Sequence, residues 1–287
     1  MLAAACGDDG SEEPRVIATT GVVSSIVEEV AGDDTEVVQL IPDSASPHDF
    51  SLSAQDRAEL EDAELIAYNG AGLEAGVPID EAAAPKWALA ENAGPLLPLS
   101  EEEGEEHEGE DEEHGDDPHV WMDPTRVASA MPSLAEALAA ADPGNESSYH
   151  QRAEELAARL EDLDREISDE VGALPRAERE LITSHDALSY FADRYGFDVV
   201  ATAFPATGVE SEPSAAALAE VTELVEGSGV SAVFSEEGDD PQVLERVAAE
   251  TGVEVVDDLL VESPGTAGTY EAMLRRDAEA IVSALEG

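Results

Sequence analysis

From residue 16 onward the chain alternates short apolar runs with segments of helical periodicity, and it does so twice, on either side of one long unbroken helical stretch. Apolar runs at 16–18, 36–40, 65–68 and 96–99 are separated in the first half by helix-like pieces at 24–30 and 53–62. Alternation of this kind builds an α/β unit on a mostly parallel sheet. A helix over 126–141 follows, and then a second over 145–172, in which Leu156, Leu160, Leu163, Ile167 and Val171 recur three or four apart as one apolar stripe. Asn145 or Ser147 is suited to cap it. A second series then opens, with strands expected at 181–183, 199–203, 232–235 and 253–256 and helices near 187–195, 214–227, 240–251 and 268–286. The expected architecture is two α/β lobes, residues 15–142 and 174–287, joined by one long helix at 143–173.

With 287 residues, 43% of them hydrophobic, each lobe can bury a core of its own. The charge excludes one class of partner: 68 acids against 13 bases leave −55, which repels nucleic acid. Residues 101–117 hold twelve acids and no Lys or Arg, leaving −43 on the rest, so acidity is a property of the whole surface. Such a surface suits concentrated salt, where charges are screened within about 3 Å at 1 M. The acidic run is too polar to bury itself and is expected to be a flexible loop in the first lobe. Residues 1–14 read as the remnant of a signal with a polar tether. Cys6, after Leu2-Ala3-Ala4-Ala5 and before Gly7 and Asp8, resembles the cysteine that becomes lipidated in bacterial lipoproteins.

Six histidines fall into classes by context. His107 and His114 lie in the acidic run and His150 opens a helix, whereas His48, His119 and His185 sit at element ends. His48 lies in Pro47-His48-Asp49, past a strand; His119 lies in Asp117-Pro118-His119-Val120-Trp121-Met122-Asp123-Pro124; His185 directly follows the strand at 181–183. Open parallel sheets bind ligands at the carboxyl ends of their strands. Three imidazoles so placed, with one carboxylate, suit zinc, whose four-coordinate sites take neutral nitrogen and anionic oxygen. The spacing leaves the carboxylate open among Asp257, Asp258 and Glu236. Trp121, Tyr190, Phe191 and Phe204 flank these positions and are expected to wall the site.

The three histidine segments, in this order and spacing, resemble the zinc and manganese binding proteins of bacterial ABC transporters, over about residues 15–287. The resemblance implies two (β/α) lobes joined by a rigid helix, with the metal site between the lobes. It implies His48, His119, His185 and Asp258 as ligands, and Zn2+ over Mn2+ because His185 stands where manganese-type members tend to carry Glu. It further implies an extracellular or periplasmic binding protein, held at the membrane through Cys6, that delivers the ion as a monomer to a permease driven by a cytoplasmic ATPase. Glu74, in Asn69-Gly70-Ala71-Gly72-Leu73-Glu74, matches a family segment behind the metal, and His107 and His114 occupy the place of a loop that gathers zinc.

Other readings compete less well. A zinc hydrolase could use the same donors, but the sequence has no His-Glu-x-x-His stretch. Ser184-His185-Asp186 cannot form a triad, because adjacent residues do not converge on one another. A manganese receptor of the same family and an adhesin-like lipoprotein that uses metal for stability are the remaining alternatives.

Overall fold

The computed structural model describes residues 15–99, 115–202, 215–237 and 242–286. The expectations for Cys6, His107, His114 and Phe204 lie outside these residues. The first sheet consists of β1 (Arg15–Ala18), β2 (Glu36–Gln39), β3 (Leu65–Tyr68) and β4 (Lys86–Ala88), all parallel, in the order β2-β1-β3-β4. β1 is central and apolar on both faces, as a strand covered on both sides must be. The crossovers are α1 (Gly21–Ala31) and α2 (Ala54–Glu61). α1 starts where Thr20 Oγ1 accepts the Val23 N–H at 3.2 Å, and α2 starts at a reciprocal Ser53/Asp56 capping box.

The expected strand at 96–99 is absent from this sheet. Pro98 makes only an isolated antiparallel bridge to Asp116, and the edge position belongs to Lys86–Ala88. Three residues behind Pro85 are too few to show a period in sequence. After α3 (Leu89–Asn92), α4 (Pro124–Ala141) begins at Asp123, whose Oδ1 accepts the Thr125 N–H at 2.8 Å, with Pro124 in the first helical position.

The long helix is α5 (Glu146–Val171), 26 residues and so about 39 Å at 1.5 Å per residue. Its Leu156, Leu160, Leu163, Ile167 and Val171 are all buried. Asn145 occupies the cap position, although its side chain donates to Asp142 instead of accepting from the helix, and Ser147 lies inside the first turn.

The second sheet contains β5 (Glu180–Thr183), β6 (Asp198–Thr202), β7 (Ala232–Glu236) and β8 (Glu254–Leu259), again all parallel, in the order β6-β5-β7-β8. Its helices are α6 (Ser189–Tyr195), α7 (Ala215–Ser228), α8 (Gln242–Thr251) and α9 (Tyr270–Glu286). β8 does not stop at 256: its register continues until Leu259 pairs with Glu236. One apolar core runs from the first sheet through α4, α5 and α9 to the second, so the chain is two parallel-sheet lobes around a central helix. Arg194 clamps Asp164 of α5 through both guanidinium ends, at 2.7 and 2.5 Å.

Candidate metal centre

The carboxyl ends of both sheets converge on one cluster. His48 sits on the loop after β2, His119 just before the turn leading into α4, and His185 two residues beyond β5. Their ring centroids are 5.4 Å apart for His48–His119, 5.4 Å for His48–His185 and 4.9 Å for His119–His185. One donor nitrogen from each lies within 4.8 Å of the others, close enough to share an ion.

Each of two rings is held from behind. Asp117 Oδ1 meets His119 Nδ1 at 2.8 Å and also accepts the His119 backbone N–H at 2.9 Å. Glu236 Oε1 meets His185 Nδ1 at 2.8 Å. A carboxylate on Nδ1 fixes the tautomer that offers the Nε2 lone pair to a metal. Burial first, and then the imidazoles of His119 and His185, push the His48 pKa down to about 3, so at neutral pH this ring carries no proton that a cation must displace. His48 Nε2 and His119 Nε2 are buried and have no hydrogen-bond partner among the described residues. Such atoms cost about 1–3 kcal/mol each when left alone, and two of them facing one point fit a bound cation.

The structure places Asp258 in neither potential metal-holding group. Asp258 is 55% exposed and its Oδ2 pairs with Arg276 at 3.0 Å, on the outside of the sheet. Because β8 runs on to Leu259, the sheet edge falls beyond Asp258, and the acid that reaches the cluster is Glu262, four positions later. Glu262 Oε1 is 3.6 Å from His48 Nε2, and Glu262 forms a second potential metal-holding group with His185 and Glu236. Asp257 is exposed as well. A groove of about 820 Å3 lined by Asp43, Asp49, Phe50, Glu236 and Glu262, among others, reaches the cluster at His185.

Glu74 does not touch the cluster. It is buried, accepts from Thr19 Oγ1 at 2.7 Å and from the backbone N–H groups of Asn69 and Gly70 at 2.7 and 3.1 Å, and its pKa is raised by burial. It thereby fixes Asn69, whose amide donates to the Pro118 carbonyl at 2.8 Å, next to His119. Tyr190, Phe191 and Trp121 are buried around the histidines, and the Tyr190 hydroxyl donates to the Asp117 carbonyl at 2.9 Å.

Two residues escape the sequence reading. Asp117 closes the acidic run in sequence, yet it is buried; its place two residues before His119 is the spacing at which a short acid reaches a backbone N–H ahead. Glu262 is hidden in sequence among 68 acids, although it directly precedes the turn Ser263-Pro264-Gly265.

The sequence matches, over residues 16–284, the family described as "ZnuA: Zinc-uptake complex component A periplasmic". The high-affinity zinc uptake system protein ZnuA of Bacillus subtilis (strain 168) is 32% identical over 268 residues, 88% of this chain and 82% of that protein. The manganese-binding lipoprotein MntA of Halalkalibacterium halodurans is 25% identical, over 99% of this chain and 95% of its own. The solved structure of the periplasmic zinc binding protein TroA from Treponema pallidum superposes with a TM-score of 0.79 at 27% identity, covering 95% of this chain and 99% of that one.

Proposed function

The chain belongs to the ZnuA family of periplasmic zinc-uptake components, and from that membership we propose that it captures one Zn2+ between its lobes on His48, His119, His185 and Glu262. The observation that carries this reading is the pair of buried imidazole nitrogens of His48 and His119 that lack a hydrogen bond, gathered with His185, with Glu262 3.6 Å from His48. Three neutral nitrogens and one carboxylate oxygen match zinc in number and in softness. His48 offers its nitrogen without losing a proton, and the carboxylates on His119 and His185 hold those rings in orientation with Nε2 free to face the ion. Glu262 adds negative charge to the site and Glu236 balances more of the ion's charge through His185.

The protein acts as a carrier, not a catalyst: it binds the ion and gives it up unchanged. Its partners are the membrane permease and ATPase of an ABC-type metal transporter. Among the described residues no helix is long and apolar enough to cross a membrane. The Cys6 context supports a lipid anchor on the outer face of the cytoplasmic membrane, and a single copy suffices because one chain supplies every donor.

A manganese reading draws on the second donor group, His185 with Glu236 and Glu262, where two hard carboxylates accompany one imidazole. Calorimetric titration of chelator-stripped protein with Zn2+ and with Mn2+, in high salt, separates the two. Tight one-to-one zinc binding with weak manganese binding is the expected result; a preference for manganese reverses the metal assignment, and no binding of either ion removes the site.

A further inference from the structure

Glu262 belongs by chain order to the second lobe, yet the segment that carries it is tied to the first. The Val261 carbonyl, one residue away, accepts the indole N–H of Trp121 at 2.8 Å in a buried bond. Trp121 lies two residues after His119, and its ring stands 5.3 Å from the His119 ring. Trp121 is itself fixed: it is 2% exposed, and its carbonyl accepts the Tyr270 hydroxyl. The Tyr270 N–H in turn donates to Ser25 Oγ of α1 at 2.9 Å.

The same segment presses on the start of α1. A Cβ placed on Gly21 would fall 2.8 Å from Ser263 Oγ and 2.5 Å from Asp43 Oδ1, so the approach depends on that glycine. On its other side the segment is held by the second lobe, where the Leu260 N–H donates to Asp277 Oδ1 at 2.9 Å. The indole bond is therefore the short mechanical path between an imidazole supplied by one lobe and a carboxylate supplied by the other.

We propose that Trp121 is a positioning residue that sets the Glu262 carboxylate against His48, and so governs how long the metal stays bound. This rests on the reading of Glu262 as a ligand. Loss of the N–H frees the Val261 carbonyl to shift, and the carboxylate moves with it while His119 and His185 keep their own carboxylate supports. Trp121 acts on release through Glu262 alone, so its effect disappears when Glu262 can no longer coordinate.

The test is a double-mutant cycle of Trp121→Phe and Glu262→Gln, read as the rate of Zn2+ release into excess chelator and as the visible spectrum of the Co2+-loaded protein. Glu262→Gln alone tests the underlying reading: unchanged release in that variant removes Glu262 from the ligand set. With Glu262→Gln releasing faster, Trp121→Phe is expected to release zinc about 10-fold faster than the parent, in the range found for groups that orient metal ligands. The double variant is expected to be no faster than Glu262→Gln, and the Co2+ bands of Trp121→Phe are expected to shift toward those of Glu262→Gln. Release at the parent rate, or two effects that multiply in the double variant, overturns the proposal. Where Trp121→Phe does not fold, benzothienylalanine placed at position 121 keeps the ring shape without the N–H and is judged by the same two outcomes.

Discussion

The two lobes contribute to the site in different ways. The first supplies His119, which is fully buried, gripped by Asp117 and set beside a backbone held by Glu74 and Asn69, together with the partly exposed His48 from the loop after β2. The second supplies His185, Glu236 and Glu262 from the edge of its sheet, where Glu262 is 21% exposed and the groove begins. One side offers two imidazoles and no acid to the cluster; the other offers one buried imidazole and two carboxylates at the groove, a charged rim that can meet a hydrated ion. The contrast suggests a division of work in which the rim attracts the cation and the buried imidazoles retain it.

That contrast can be broken most severely at His119. Replacing it by Ala removes the most deeply buried donor, and zinc affinity should fall by more than about 100-fold, beyond what the loss of a supporting group costs; competition with a chelator of known affinity measures it. Asp117→Asn keeps the shape but weakens the grip on Nδ1, and should cost about 10- to 100-fold in the same titration. A smaller loss in Asp117→Asn than in Glu236→Gln would reverse the assignment of the braced side to the first lobe.

Acid and base should also separate the lobes. His48 has a folded pKa of about 3 against 6.5 for the free side chain, so the unfolded chain binds more protons between those values. Its contribution is therefore lost as pH falls below about 6.5. Asp277, behind the Glu262 segment, has the opposite sign: burial raises it from 3.8 to about 7, so the folded chain holds the extra proton and stability is lost as pH rises through that window. Asp277→Asn should then stabilise the metal-free protein by on the order of 1–2 kcal/mol at pH 8, with the gap closing toward pH 4. Denaturant titrations across this range check it, and a gap that widens on acidification would contradict it. The smallest effect belongs to Asp258→Ala, which removes an exposed pair with Arg276 and should leave zinc affinity unchanged and stability within about 0.5 kcal/mol.

The same division explains what could be read in advance. Histidines number six in 287 residues, so three at element ends stand out, and the apolar alternation around them exposes both sheets and the central helix. Carboxylates are so common in this chain that position alone had to identify the one at the cluster. That position depended on where β8 ends, and the run Asp257-Asp258-Leu259-Leu260 does not mark the end, because exposed acids inside an edge strand look like the start of a loop. The edge strand Lys86–Ala88 escaped for a related reason: its place is set by pairing with β3 and not by any period of its own.

The central claim is that one zinc ion is held jointly by the two lobes on three imidazoles and Glu262. Anomalous diffraction at the zinc edge from crystals of the loaded protein tests it most directly. The account predicts a single strong peak about 2.0–2.2 Å from a nitrogen of His48, His119 and His185 and from a Glu262 oxygen; a peak that omits the first-lobe histidines, or that lies against Asp258, would contradict it.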